Sequence, residues 1–201
     1  MNKLAISIKA LLLIIFFTFT ASADNVLKGF QIGDDEAPVS VIEYRSLTCS
    51  HCAEFANEIF PKIKKHYIDT GKVKFELRPF VLNAVDLNAF KLLHSVDEKD
   101  FLQLDKMLFK DQGKWFIIKS TNEESIKQST EALKRYALLF GLSESEFEDI
   151  LNDKELEDFI LNMRVKAYNE LKINSTPSFI INDELYSGNR SFSEFEELFN
   201  L

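Results

Sequence analysis

The chain has 201 residues, 46% hydrophobic and 28% charged, the composition of a globular protein and too apolar for a disordered one. Six glycines and four prolines leave little material for an all-β protein, so helix should dominate, and a net charge of −8 argues against nucleic acid as the main partner. Two cysteines three positions apart can neither build a disulfide framework nor fill a four-cysteine zinc site.

At the N-terminus Lys3 and Lys9 precede an apolar run from Ala10 to Phe19, followed by Ala21-Ser22-Ala23. A positive region, a short apolar region and a small-x-small site together read as a secretory signal peptide cleaved after Ala23. A membrane anchor would need about 20 apolar residues, and Lys9 interrupts this run. Cleavage would remove two lysines and no carboxylate, leaving 178 residues of net charge −10. The thiols of an exported protein work in an oxidising compartment.

Val39 to Tyr44 is rich in β-branched residues, follows Pro38 and reads as a buried strand. Cys49 to about Asp69 reads as a helix with Phe55, Ile59, Ile63 and Tyr67 on one face, kinked near Pro61 and stopped at Thr70-Gly71. Val73 to Arg78 alternates apolar and charged side chains, a half-exposed strand ending at Pro79. From about Asn83 to Leu171 only helices are expected. Ile126, Thr130, Leu133, Ala137 and Phe140 line one helix, stopped at Gly141. Ser143 and Glu146 open a second with a capping box, and Leu156, Ile160, Met163, Ala167 and Leu171 mark a third. Gly113 to Trp115 is expected as a loop between helices, with Trp115 a core plug. Strand character returns at Ser178–Ile181 and, after an Asn182-Asp183 turn, at Glu184–Tyr186; Ser193 and Glu196 would cap a final helix bearing Phe195, Leu198 and Phe199. The order βαβ, helical block, ββα predicts an α/β fold whose sheet domain carries a helical insertion.

The chemistry points to Cys49-Ser50-His51-Cys52, which follows a strand and opens a helix. A C-x-x-C in that setting reads as a redox pair. At the first turn of a helix, Cys49 meets unpaired backbone N–H groups and the positive end of the macrodipole, both favouring thiolate. His51 is expected to donate a hydrogen bond to that thiolate and so stabilise the reduced pair, making the oxidised pair a stronger oxidant. A structural disulfide across so short a loop would remove little unfolded-state entropy. A metal carrier is a further alternative, but His66 and His94 are not patterned with the cysteines and read as structural or solvated.

With these motifs the chain resembles thioredoxin-fold proteins of the DsbA type, periplasmic thiol–disulfide oxidoreductases. The resemblance runs from about Phe30 to Leu201. It rests on Ala37 to Tyr44, on Cys49-Ser50-His51-Cys52, on Ser175-Thr176-Pro177-Ser178-Phe179 and on the placement of the helical block. It implies a thioredoxin-fold domain from 24–82 and 172–201 with a helical insertion domain at 83–171. It further implies that Cys49 is the exposed attacking cysteine and Cys52 its buried partner. The Thr176–Pro177 bond should be cis in a loop that binds substrate backbone, and Glu43, six residues before Cys49, should be the buried acid that relays protons. The residue-level alternative for Glu43 is an exposed charge at a strand end. Ser50, with His51, would tune the potential: the best-known oxidases carry Pro-His between their cysteines, and many carry valine at the position of Thr176.

The implied activity is the introduction of disulfides into exported proteins. Reductase or isomerase action is the alternative within redox chemistry. Only about a dozen residues separate Asp24 from the fold, too few for the N-terminal dimerisation region of dedicated isomerases. The implied partners are reduced exported proteins and a DsbB-like membrane quinone reductase, with a monomeric, periplasmic protein that holds no cofactor and no metal.

Overall fold

The computed structural model describes residues 28–201; the expected leader and its cleavage site after Ala23 lie outside the described residues. Among the described residues five strands form one sheet in the order β1-β3-β2-β4-β5. The central strand β2 (Val39–Arg45) pairs in parallel with β3 (Val73–Pro79) and antiparallel with β4 (Ser178–Ile181). β5 (Glu184–Ser187) closes one edge through a turn in which Asn182 and Asp183 both have positive φ, the geometry that two-residue hairpins require. The other edge is β1 (Phe30–Ile32), antiparallel to β3. Sequence patterning misses β1 because three residues are too few to show alternation. Its location depends on pairing with β3 and on Phe30 stacking over Phe101, with ring centroids 3.8 Å apart.

Side-chain alternation along β2 creates two different cores. Val39 and Val41 point to the face covered by the segment after the cysteines and by α9 (Phe192–Phe199), where Phe55, Phe75, Phe179 and Phe195 meet. Tyr44 points to the other face, where Phe80, Ile173 and Ala167 close a smaller core. Ala167 belongs to α8 (Lys154–Leu171), so the last turns of the helical block also cover the sheet.

The expected single helix after Cys49 is continuous but wound in four pieces. α1 (Ser50–Glu54) and α2 (Phe60–Ile63) alternate with π turns at Phe55–Ile59 and Lys64–Ile68. Pro61 falls in the first turn of α2 and has no N–H to give to the preceding turn, so the ladder opens there. The second wide turn lets Ile63 and Ile68, five residues apart, both reach the core.

Residues between β3 and β4 form only helices: α3 (Ala84–Leu93), α4 (Glu98–Lys110), α5 (Gln112–Trp115), α6 (Asn122–Leu139), α7 (Glu144–Asn152) and α8. Gly141, at φ +85°, ends α6, and Ser143 and Glu146 form the expected capping box of α7. Two expectations change. Gly113 to Trp115 is a helical turn, because Trp115 is fully buried and its Nε1–H must reach the Leu108 carbonyl at 2.7 Å. The cap of α9 is Ser191 with Glu194, two residues earlier than Ser193 with Glu196. Both pairs have the required spacing, and the earlier start brings Phe192 into the helix while Phe195 and Phe199 fill the core. Among the described residues no helix is long and apolar enough to cross a membrane.

Phe55 is fully buried and lies within 4.8–6.3 Å, centroid to centroid, of Phe179, Phe195, Phe60 and Phe75. Phe55→Ala should cost about 3–5 kcal/mol of stability, measured by denaturant unfolding, because the void borders four large rings that cannot collapse into it.

Candidate active site

The site forms where β2 ends and α1 begins. Cys49 is the N-cap residue of α1, with extended backbone (φ −86°, ψ 125°) and no capping hydrogen bond from its own side chain. Its Sγ is therefore left at the mouth of a helix whose first N–H groups lack intrahelical partners. Cys49 is half-buried, Cys52 one turn later is fully buried, and both are free thiols.

Environment separates the two. The Cys49 thiol is lowered from 9.0 to about 5: the Cys52 thiol donates to it, the Thr176 side chain contributes next, and the backbone N–H groups of Cys52 and His51 add to these against the desolvation. Cys52 is driven well above 9.0, first by burial, then by its hydrogen bond to Cys49 and by the nearby Glu43 charge. One sulfur is thus a stable thiolate at neutral pH while the other holds its proton.

The loop before β4 faces the pair. Thr176–Pro177 is a cis peptide, and the thiol form of Cys49 reaches the Thr176 carbonyl at 3.4 Å. Cys49 and Thr176, 127 positions apart, thus meet at the site, each beside a buried neighbour of the pair and loop, Cys52 and Pro177. Ser50 and His51 are exposed in the first turn of α1. The expected imidazole–thiolate hydrogen bond is not formed. The His51 group that meets the sulfur is its backbone N–H, beside that of Cys52.

Glu43 is completely buried, not at an exposed strand end, and its carboxyl is raised from 4.5 to about 7 by desolvation, partly offset by Arg45. Four further residues frame the site. Arg45 and Asp105 form a buried ion pair, with Nη2 donating to Oδ2 at 3.0 Å. Asp86 accepts N–H bonds from Leu47 and Leu82, tying the loop before Cys49 to the loop after β3. Gln112 donates from Nε2 to the carbonyls of Leu47 (2.8 Å) and Cys49 (3.1 Å), fastening the helical block to the cysteine loop. Arg45 and Asp105 leave a readable trace: each is a charge at a position where the apolar period of its strand or helix calls for a core residue. Gln112 leaves none, since its partners are main-chain atoms 63 and 65 residues away. His94 lies edge-on to Phe101 and Phe159 and, with burial holding it down at about 4, stays neutral; His66 is exposed.

A family model described as Thioredoxin matches residues 25–200. The crystal structure of Wolbachia pipientis α-DsbA1 superposes with a TM-score of 0.75 at 33% identity, covering 85% of this chain and 88% of that one. A Rickettsia typhi protein named for protein-disulfide oxidoreductase activity is 35% identical over 153 residues, 75% of this chain and 53% of its own length. Disulfide bond formation protein D of Bacillus subtilis is 26% identical over 83% of this chain and 72% of that protein. The chain belongs to the thioredoxin family, in its DsbA-like branch with a helical insertion. It spans about half the length of the rickettsial relatives it matches.

Ultraviolet titration of the reduced protein should show one thiolate forming near pH 5, and His51→Ala should leave that midpoint in place because the backbone N–H remains. Gln112→Ala, which frees the Cys49 carbonyl, should raise it. In the oxidised protein, where Cys49 no longer titrates, Glu43 adds a further slope. Between pH 4.5 and about 7 the folded state holds a proton that the unfolded state has lost, so stability falls as pH rises. Glu43→Gln should flatten that slope by about 1.4 kcal/mol per pH unit, as read from unfolding at a series of pH values.

Proposed function

We propose that the protein is an enzyme of thiol–disulfide exchange that introduces disulfide bonds into exported proteins through Cys49 and Cys52. The observation that carries this reading is the asymmetry of the pair: a half-exposed sulfur stabilised as thiolate beside a buried sulfur that keeps its proton.

In the oxidised enzyme a substrate thiolate attacks Sγ of Cys49. The Cys49–Cys52 bond breaks, its electron pair leaves on Cys52, and Cys52 takes up a proton supplied by Glu43. A second substrate thiolate then attacks the substrate sulfur of the mixed disulfide and expels Cys49 as thiolate. Two electrons pass to the enzyme, and the substrate gains one disulfide. Cys49 is the better leaving group because its thiolate is stabilised, which also favours the reduced enzyme and makes the disulfide form oxidising.

Thr176 and Pro177 would hold the substrate backbone beside Cys49: the Thr176 carbonyl is within 3.4 Å of Sγ, and Pro177 offers no N–H to compete for substrate acceptors. Ser50 tunes the pair through the first turn of α1, and His51 acts on Cys49 through its backbone N–H. The thioredoxin-fold part comprises 24–82 and 172–201 and the helical insertion 83–171. The reading includes export to the periplasm with cleavage after Ala23, reduced exported proteins as substrates, reoxidation by a DsbB-like membrane quinone reductase, and a monomer without cofactor or metal. The likeness to α-DsbA1 over most of both chains supports it.

Cys49→Ser should abolish peptide oxidation, and Cys52→Ser should accumulate a mixed disulfide through Cys49, seen by intact mass. Trapping through Cys52 would reverse the assigned polarity. The pair's reduction potential, set against glutathione, should lie nearer about −120 mV than about −270 mV; the reverse would make the protein a reductant.

A further inference from the structure

Beneath the cysteines lie more buried charges than their partners can neutralise. Glu43, Arg45 and Asp105 are at most 4% exposed. Arg45 Nη1 stands 3.7 Å from Glu43 Oε2, too far for a hydrogen bond, while Nη2 is spent on Asp105. Both Glu43 oxygens and Arg45 Nε have no hydrogen-bond partner, and Asp105 Oδ1, 3.0 Å from Arg45 Nη2 within the ion pair, accepts no hydrogen bond of its own. The guanidinium stacks 4.4 Å over the Phe109 ring, which seals one side. Glu43 faces Arg45 on its own strand, Cys49 and Cys52 at the start of α1, and Asp105 on α4. Asp105 faces Arg45 and, around a small void, Arg78 and His94.

Fully ionised, two carboxylates against one guanidinium carry a net charge of −1 in the protein interior, and two carboxyls at one site resist ionising together. One proton would make the cluster neutral and supply a donor where acceptors stand unpartnered. The cluster also has one outlet. Asp105 lines a groove of about 400 Å³ with Ala56, Phe60, Leu102 and Lys106, whereas Glu43 is sealed.

We propose that Glu43 and Asp105 share a single proton across Arg45, and that Asp105 is the positioning residue through which the cluster exchanges it with water in the groove. This rests on Glu43 being the group that protonates Cys52. When substrate attacks Cys49 and the electron pair arrives on Cys52, Glu43 releases its proton to that sulfur and becomes a carboxylate. A proton from groove water then returns the cluster to neutrality by way of Asp105. During reoxidation the same proton leaves Cys52 by the reverse route.

The test is the pH profile of mixed-disulfide formation between the oxidised protein and a reduced peptide, corrected for the peptide's thiolate fraction, beside a carbon-13 titration of the Glu43 and Asp105 carboxyls. In the unaltered protein the corrected rate should fall as pH rises through the cluster's titration, and both carboxyls should report the same two steps, as coupled sites do. Asp105→Asn leaves Glu43 alone with Arg45, so its midpoint should drop by about one pH unit or more; Asp105→Glu should restore it. An Asp105 that titrates once in the ordinary carboxylate range, or an Asp105→Asn profile identical to the unaltered one, overturns the shared proton while leaving the role of Glu43 intact. A Glu43→Gln profile with the inflection unchanged removes the role of Glu43 and the shared proton together.

Discussion

A thiolate stabilised on one sulfur and forbidden on its neighbour, one helical turn away, is the condition on which the rest of the site depends. The helix start meets it by giving the two sulfurs opposite surroundings. Cys49 caps the first turn, where N–H groups without intrahelical partners converge, and Cys52 lies a turn deeper among apolar side chains. The segment must then enter the core at a fixed depth. Phe55, Ile63 and Ile68 set that depth by burying against the sheet and α9, and the two π turns let them do so despite Pro61.

Holding the cysteine loop in place falls to groups that reach it from far along the chain. Asp86 and Gln112 bind its main-chain N–H and carbonyl groups from the helical block, and Thr176 meets it from the loop before β4. The helical block is therefore part of the site and not an appendage to the sheet. A loop with its own side chains alone would leave its backbone polar groups to water, and the thiolate would lose the directed donors that distinguish it from a free cysteine.

The buried acids run against stability. Glu43 and Asp86 are both held near 7 by burial, so each favours the folded state most in its protonated form. A strand built only for packing would carry valine or leucine where β2 carries Glu43 and Arg45. On the face that leads to Cys52 an isolated charge is costly and even a hydrogen-bonded pair only breaks even.

Local chemistry made much of this legible before any fold was known. The alternation of β2 and β3, the four-residue period after Cys49, the capping box at Ser143 and the C-x-x-C at a strand-to-helix junction all depend on neighbours within a few positions. Where two local solutions were equally good, as for Ser191 and Ser193, only the burial of Phe195 and Phe199 chose between them. The strand β1, the Arg45–Asp105 pair and the Gln112 contacts join residues 43 to 65 positions apart, and no periodicity encodes such pairings. His51 shows the same division at a single residue. Its identity and place between the cysteines are written in the sequence, but which of its groups meets the thiolate is not, and in the folded chain that group is the backbone N–H.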